Sequence, residues 1–440
     1  MTRPTEPTTP ARLRTDADLA EDLCAFVDAG LSPFHVVAEM TRRLDAAGYR
    51  PIAEEDAWAL APGDRRYVVR DGGSLIAFRV GRAAPAEAGL RLVGAHTDSP
   101  TFRLRPTFDV RRHGYRLAGV EPYGGVLYHT WFDRDLDVAG RLLLRPAAPG
   151  APLESRRVLV NGGPLRIPSL AIHLDRSVRT EGLKPDPQRH LVPVAGLEDD
   201  GGPSLLEAVA ASAGCDPDAV LTHDLVLADA QPASLAGSAV RAARLDNLSS
   251  CHAGLHALLA AEDGAATAVL VANDHEEVGS GTAEGAAGSF LDDVLDRLVA
   301  ATGGDREERA RAVRRSLLVS CDTAHAVHPN YADRHEPSHQ PTLGGGPVIK
   351  SNANQAYATD AASAAGFLAA CAEAGVRAQH FVSRADLPCG STIGPLTATR
   401  LGLPTVDVGA PILSMHSIRE QADARDIGPL RDALAAHLSG

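Results

Sequence analysis

The sequence predicts an α/β protein whose mixed or parallel sheet is flanked by helices and interrupted by a mainly β insert. Three observations carry this expectation. Short apolar runs, LRLVGA (90–95), AVLVA (268–272) and SLLVS (316–320), have the texture of buried strands and alternate with helical patterns. From about Thr101 to Leu235 the helical patterns give way to short β-like runs broken by Gly and Pro. From about Gly237 the alternation returns. The 440 residues, 44% of them hydrophobic, can supply a sizeable core spread over two domains. The expected division is a flexible tail (1–15), a discontinuous domain (16–100 and 236–440) and a β-rich insert (101–235).

Taken in order, Asp16 to Ala29 reads as a helix, with Leu19, Leu23, Phe26 and Val27 at helical spacing. Ser32 then caps a second helix that has Pro33 at its first position and runs to about Ala47. SLIAFRV (74–80) and LRLVGA read as strands, the second running into HTDSP. The insert contributes YRLAGVEPYGGVLYHTWF, AGRLLLRP, RRVLVNGGPLRIPSLAIHL and HLVPVAG. Beyond it, helices are expected over Asp246–Ala261, around Phe290–Ala301 and over Ala361–Ala374, with strands at AVLVA, SLLVS, RAQHFVSR and PTVDVGAP.

Composition excludes several roles. A formal net charge of -13 and the lack of a Lys/Arg cluster argue against a nucleic-acid partner, because such binding rests on counterion release by basic patches. No run of about 18 apolar residues is present, so no transmembrane helix is expected. The N-terminus lacks the apolar core of a signal peptide, and the six cysteines are scattered, as in reduced buried thiols. A cytoplasmic protein is the expectation. Of 43 basic residues only Lys184 and Lys350 are lysine, so a lysine here can mark a chemical need.

In open α/β sheets ligands bind beyond the carboxyl ends of the strands. Three such ends carry His96 and Asp98, Glu276 and Glu277, and Asp322; Asp246 opens a helix in RLDNLSS, and His416 lies in SMHSIRE near the C-terminus. Imidazole with carboxylate suits zinc or similar divalent ions. Asp98, two positions after His96, can bond the imidazole's other nitrogen and fix its tautomer. Of Glu276 and Glu277, one can bind metal while the other takes a proton from water. Spacing does not say which. Singly, each residue has a plainer reading: Asp246 as a helix cap, Glu276-Glu277 as an acidic turn, His416 as a satisfied histidine. Their convergence on one sheet edge is the stronger signal.

The ordered segments HTDSP, RLDNL, HEEVGS, CDTAHAVHPNY, GPVIKSNANQAYATD, DLPCGSTIGP and SMHSIRE resemble the M18 metallopeptidases, the aspartyl aminopeptidases. IPSLAIHLDR, HLVPV and ADAQPASLAG match the same family, so the likeness covers nearly the whole chain past the tail. The M42 and M20 peptidases share the layout but not these flanking segments. The resemblance implies a zinc-peptidase sheet and two zinc ions per subunit, with cobalt or manganese as possible substitutes. One ion would take His96 and Asp322, the other Glu277 and His416, with Asp246 bridging and Glu276 as general base. It also implies that the insert is a dimerisation domain whose His173 reaches a neighbouring active site to stabilise the oxyanion. The family's shells contain twelve subunits, which would confine substrates to peptides.

The activity so implied is removal of a single N-terminal Asp or Glu. Lys350 is the expected cation for that acidic side chain, a compact point charge in a chain that otherwise uses arginine. His325, His328 and Asp386 are further candidates for the substrate pocket, with Arg384 and Ser391 beside them and Gly390 suggesting close backbone approach. A broad-specificity aminopeptidase on the same scaffold is the alternative. An N-acyl amino acid hydrolase and a catalytically silent shell are more distant ones.

Overall fold

The computed structural model describes residues 15–440 apart from 147 and 149, so all of the expected tail but Thr15 lies outside the described residues. A nine-stranded mixed sheet forms the centre. Its four middle strands, in spatial order Thr267–Asn273, Leu90–His96, Leu317–Cys321 and Thr405–Gly409, run parallel. On one side Ser74–Arg79 and Arg65–Arg70 add antiparallel, and on the other Val348–Ser351 adds antiparallel to Thr405–Gly409. The middle strands are almost wholly buried, which explains their unbroken apolar runs: helices cover both faces.

One face packs under the helices Asp16–Ala29, Pro33–Ala46, Leu245–Ala260 and Ala424–Ser439 through Leu23, Phe26, Leu248, Leu255 and Leu434. The other packs under Phe290–Ala301 and Arg306–Arg315 through Phe290, Leu295 and Leu298. Thr15 caps the first helix in a reciprocal box with Asp18. Ser32 stands at the N-cap of the second, but its hydroxyl bonds His35 Nδ1 at 2.8 Å instead of the helix amides.

The chain leaves this sheet at Thr101 and builds a closed six-stranded antiparallel barrel before returning after Asp229. Its separate core holds Phe102, Trp131, Leu142, Leu165 and Leu225, and the helix Leu205–Ser212 packs on it. The SLAIHL run is not a strand: the long strand Glu154–Arg166 ends before it, and Ile172, His173 and Leu174 form an exposed turn. Its apolar residues have no core to face.

Two elements escape the sequence pattern for identifiable reasons. The C-terminal helix Ala424–Ser439 contains Gly428-Pro429, which reads as a break, yet Gly428 is where the helix meets the first one: a Cβ there would lie 2.4 Å from Asp16 Oδ1. Val348–Ser351 is only four residues long. The described helices include none long and apolar enough to cross a membrane.

Gly409 ties the sheet to the residues that follow its edge. A Cβ at this position would lie 1.7 Å from the carbonyl oxygen of Asp322. Gly409→Ala must push the two strand ends apart, and a lowering of the melting temperature by about 5 °C or more is expected in a thermal denaturation scan.

Candidate active site

Three neighbouring parallel strands deliver their carboxyl ends to one place. His96 is the last residue of its strand, Asp322 directly follows Leu317–Cys321, and Glu276 and Glu277 form a short turn after Thr267–Asn273. Asp246 enters from the irregular start of the helix Leu245–Ala260, where its own φ and ψ are not helical. It does not cap that helix. His416 comes from a loop near the C-terminus and, like Arg244 and His275, adopts the left-handed conformation unusual for a side-chain-bearing residue.

Asp246 divides its carboxylate between two groups. Its Oδ1 lies 3.5 Å from His96 Nε2, which is 3.4 Å from Asp322 Oδ1. Its Oδ2 lies 3.4 Å from His416 Nε2, which is 3.6 Å from Glu277 Oε2. Ligand atoms about 2.0–2.1 Å from one tetrahedral ion stand about 3.3–3.4 Å apart, so these spacings suit metal coordination better than they suit direct hydrogen bonds. Asp246 Oδ1, Glu277 Oε1 and Asp322 Oδ1 are buried and accept no hydrogen bond. Leaving such oxygens bare costs stability unless a cation meets them. The donor set therefore fits divalent metal.

The electrostatics agree. Burial alone would lower the His96 imidazole, but Glu276, Asp246, Asp322 and Asp98 hold it well above its ordinary value. Burial, reinforced by Asp246, holds Glu277 well above the carboxylate range. Glu276 is pushed up to about 7, first by burial and then by Asp322 and Asp98. A surplus of negative charge, partly titrated away by protons, is what divalent cations neutralise.

Asp98 organises the turn carrying both glutamates. Its carboxylate accepts from the amides of Glu276 and Glu277 at 3.1 and 3.0 Å and from the Tyr123 hydroxyl at 2.7 Å. His96 Nδ1 lies 3.3 Å from Asp98 Oδ1 and 3.1 Å from its carbonyl oxygen, which leaves Nε2 for the cluster. The barrel reaches in through Tyr123 and the two glycines that follow. Gly125 O receives the His416 Nδ1 proton at 3.1 Å, and a Cβ at Gly125 would lie 2.8 Å from that nitrogen.

Sequence reasoning missed Glu420. It is 2% exposed, and its two oxygens accept from the amides of Asp246 and His416 at 2.9 and 2.8 Å. Only its place in SMHSIRE, four residues past His416, could have signalled it. Tyr123 and Gly125 were equally hidden in EPYGGV.

A second His/Asp cluster shows what a metal group is not. His252 and His256 both place Nε2 2.8 Å from Asp22 Oδ2, where Arg43 also donates. His252 Nδ1 is buried without a partner, so its proton belongs on Nε2, donating to Asp22. Arg43 already supplies the positive charge there.

Beside Asp322 a cleft of about 300 Å³ is lined by His325, His328, Arg334, His335 and Arg384, with no carboxylate among its described lining residues. Arg384 is held by Asp386, with Nε 2.6 Å from Oδ1; Asp386 itself stays outside the lining. Lys350 differs from the expectation of a pocket cation. It is 2% exposed and donates to the carbonyls of Asp322 and Thr323 at 3.0 and 3.1 Å, beneath the cleft. A buried ammonium needs those acceptors, and they draw it under the Asp322 loop. Gly390 lines the cleft, yet nothing lies within 4 Å of the Cβ it lacks, so close backbone approach is not its role. His173 is exposed on its turn and is not among the residues gathered around Asp246.

The family model for aminopeptidase I zinc metalloproteases (M18) matches residues 26–436. The chain belongs to the M18 family. An M18 relative described as "Probable M18 family aminopeptidase 2", from Pseudomonas aeruginosa, is 47% identical over 428 residues, 96% of this chain and 98% of the relative. Among solved structures, the Ape4 and Nbr1 complex superposes with a TM-score of 0.92 at 35% identity, covering 96% of this chain and 86% of that one. The S. cerevisiae mApe1 dodecamer gives 0.83 at 28%, covering 95% and 96%. As an M18 protein this chain is a zinc metalloaminopeptidase, a hydrolase, and the M18 neighbours share its mixed α/β fold.

Glu420→Ala removes the acceptor for two ligand-bearing amides at once. Zinc affinity, measured by competition with a chromophoric chelator, is expected to fall about 10- to 100-fold with the fold retained. Glu420→Gln, which keeps one acceptor oxygen, should lose less.

Proposed function

We propose that this M18 aminopeptidase removes single N-terminal residues, preferentially Asp or Glu, from peptides, using two zinc ions and Glu276 as general base. The observation that carries the two-ion reading is the sharing of Asp246 between two donor groups, each with a histidine Nε2 and a second carboxylate. His96 and Asp322 would hold one ion, and Glu277 and His416 the other. Bound zinc polarises the scissile carbonyl and makes water acidic enough to be deprotonated near neutral pH. Cobalt or manganese can replace it in such a donor set.

Glu276 is the base because its carboxylate stands apart from the tighter pairs, with Oε2 3.9 Å from His96 Nε2. It takes the proton of the attacking water and hands it to the leaving amine. Asp98 holds the Glu276 and Glu277 amides, so both side chains keep their bearings while the proton moves. The barrel is a dimerisation domain. Its exposed turn, with Leu170, Ile172 and Leu174 beside His173, supports contact with a neighbouring copy whose active site His173 completes. Assembly into a twelve-subunit shell is supported by the dodecamer of the related mApe1, and the cytoplasm is the proposed location.

The acidic preference rests on the basic cleft. His325, His328 and Arg384 face it, and Lys350 adds positive charge from beneath through the Asp322 loop. An Asp or Glu side chain of the first residue meets the guanidinium groups of Arg334 and Arg384 there, sharing Arg384 with Asp386.

Two measurements test this reading. Glu276→Gln should keep its metal by elemental analysis while kcat falls by about two orders of magnitude or more; retained turnover would show that Glu276 is not the base. Arg384→Ala should reduce the ratio of kcat/KM for Asp- over Leu-peptides about tenfold. An unchanged ratio near unity in both proteins would mark a broad-specificity aminopeptidase.

A further inference from the structure

Between the barrel and the sheet domain lies a second cavity, of about 290 Å³, partly open to solvent. None of His96, Asp246, Glu276, Glu277, Asp322 or His416 lines it. Thr97, Asp98 and Ser99 form one wall, so the cavity sits behind the metal centre and is separated from it by Asp98 and Tyr123. Its size is at the lower end of small-molecule pockets, which run from roughly 300 to 1,000 Å³.

Most charged groups around this cavity are already matched. Arg103 and Arg141 both bond Asp224, at 2.8 Å each, and Asp229 takes Arg134 at 2.7 Å. Those left over are informative. Arg244 gives Nε and Nη2 to the carbonyls of Gly30 and Val27, both at 3.1 Å, and no described carboxylate lies within 4.0 Å of it. Trp131, 3% exposed, has an indole N–H with no acceptor. On the acceptor side, Asp274 is 5% exposed; its Oδ1 accepts the His275 amide at 2.8 Å, and among the described residues the one basic side-chain atom within 4.0 Å of its carboxyl is His275 Nε2 at 3.9 Å. Burial, with Asp98 and Glu284 nearby, raises Asp274 well above the usual carboxylate range, as expected of an acid without a cation. Asp71, exposed, and Glu284, half-buried, are also on the wall, and burial together with the neighbouring Glu284 raises Asp71 above its ordinary value.

We propose that this inter-domain cavity is a binding site for a small zwitterion of free amino acid or dipeptide size, its carboxylate taken by Arg244 and Trp131 and its ammonium by Asp274 and the Glu284–Asp71 pair. A buried guanidinium with no carboxylate partner, an indole N–H with no acceptor and a buried carboxyl with no cation, all on the walls of one cavity, are complementary to a molecule carrying both charges. Free amino acids are also what an aminopeptidase releases. Occupancy is felt at the metal centre through Asp98, which lines this cavity and holds the amides of Glu276 and Glu277. The site is therefore placed to report product level to the reaction without competing for the metal ions. The binding claim does not rest on the assignment of Glu276 or on the acidic preference.

The test is calorimetric titration of L-alanine into the zinc-loaded, assembled enzyme whose metal centre is saturated with an amino-acid hydroxamate. One molecule of alanine per chain is expected to bind in addition. Affinity should fall at least about tenfold in Arg244→Met, which removes the guanidinium, and in Val226→Phe, which fills the cavity and leaves the charged groups in place. Ethylamine and propionate, each carrying half the recognition, should bind more weakly than alanine to the unaltered protein. No binding with the centre blocked, unchanged affinity in Val226→Phe, or propionate binding as tightly as alanine would each overturn the proposal. The half-ligand comparison uses unaltered protein and stands even if a variant fails to fold.

Discussion

Asp246, Asp322, Glu276, Glu277 and Asp98 are held close together around two imidazoles, at the end of a buried sheet. Left to themselves these carboxylates would repel one another or take up protons, and the raised values of Glu276 and Glu277 record that tendency. The surrounding structure opposes it with rigid main chain. Asp98 grips two amides, Glu420 grips two more, and Ser99 Oγ bonds the carbonyl of Asp246 at 2.6 Å. What remains unmatched is a set of buried oxygens, Asp246 Oδ1, Glu277 Oε1 and Asp322 Oδ1, whose chemistry suits a divalent cation.

The sheet explains why this concentration of charge is affordable. Parallel strands place their carboxyl ends side by side, and the covering helices bury those ends, one of them adding Asp246 from its first turn. The barrel then closes the site from outside. Tyr123 bonds Asp98, and Gly125 accepts from His416, so an insert with its own core also supplies contacts to the side chains of the candidate site. Metal centre and barrel are thus mechanically linked, and the inter-domain cavity lies on that link.

Much of the fold was legible because period and punctuation agreed. The helix Asp16–Ala29, the strands ending at His96 and Cys321 and the change of texture near Thr101 all follow from apolar spacing and from Gly and Pro. Legibility failed where a local rule was overridden by a distant partner. Gly428-Pro429 has the composition of a break, but the helix continues because Gly428 lets it rest against Asp16. SLAIHL had the composition of a strand and no neighbour to pair with.

The sequence by itself determined which chemistry was available. Metal-type residues at three strand ends, and ordered segments matching one family, are properties of the chain order alone. Tertiary structure decided how the residues divide the work, because only distances can do so. The two oxygens of Asp246 point to different histidines, Glu420 ties the amides of Asp246 and His416 together, and Lys350 lies under Asp322 rather than in the cleft. These outcomes depend on contacts between residues far apart in the chain, and no periodicity or spacing records such contacts.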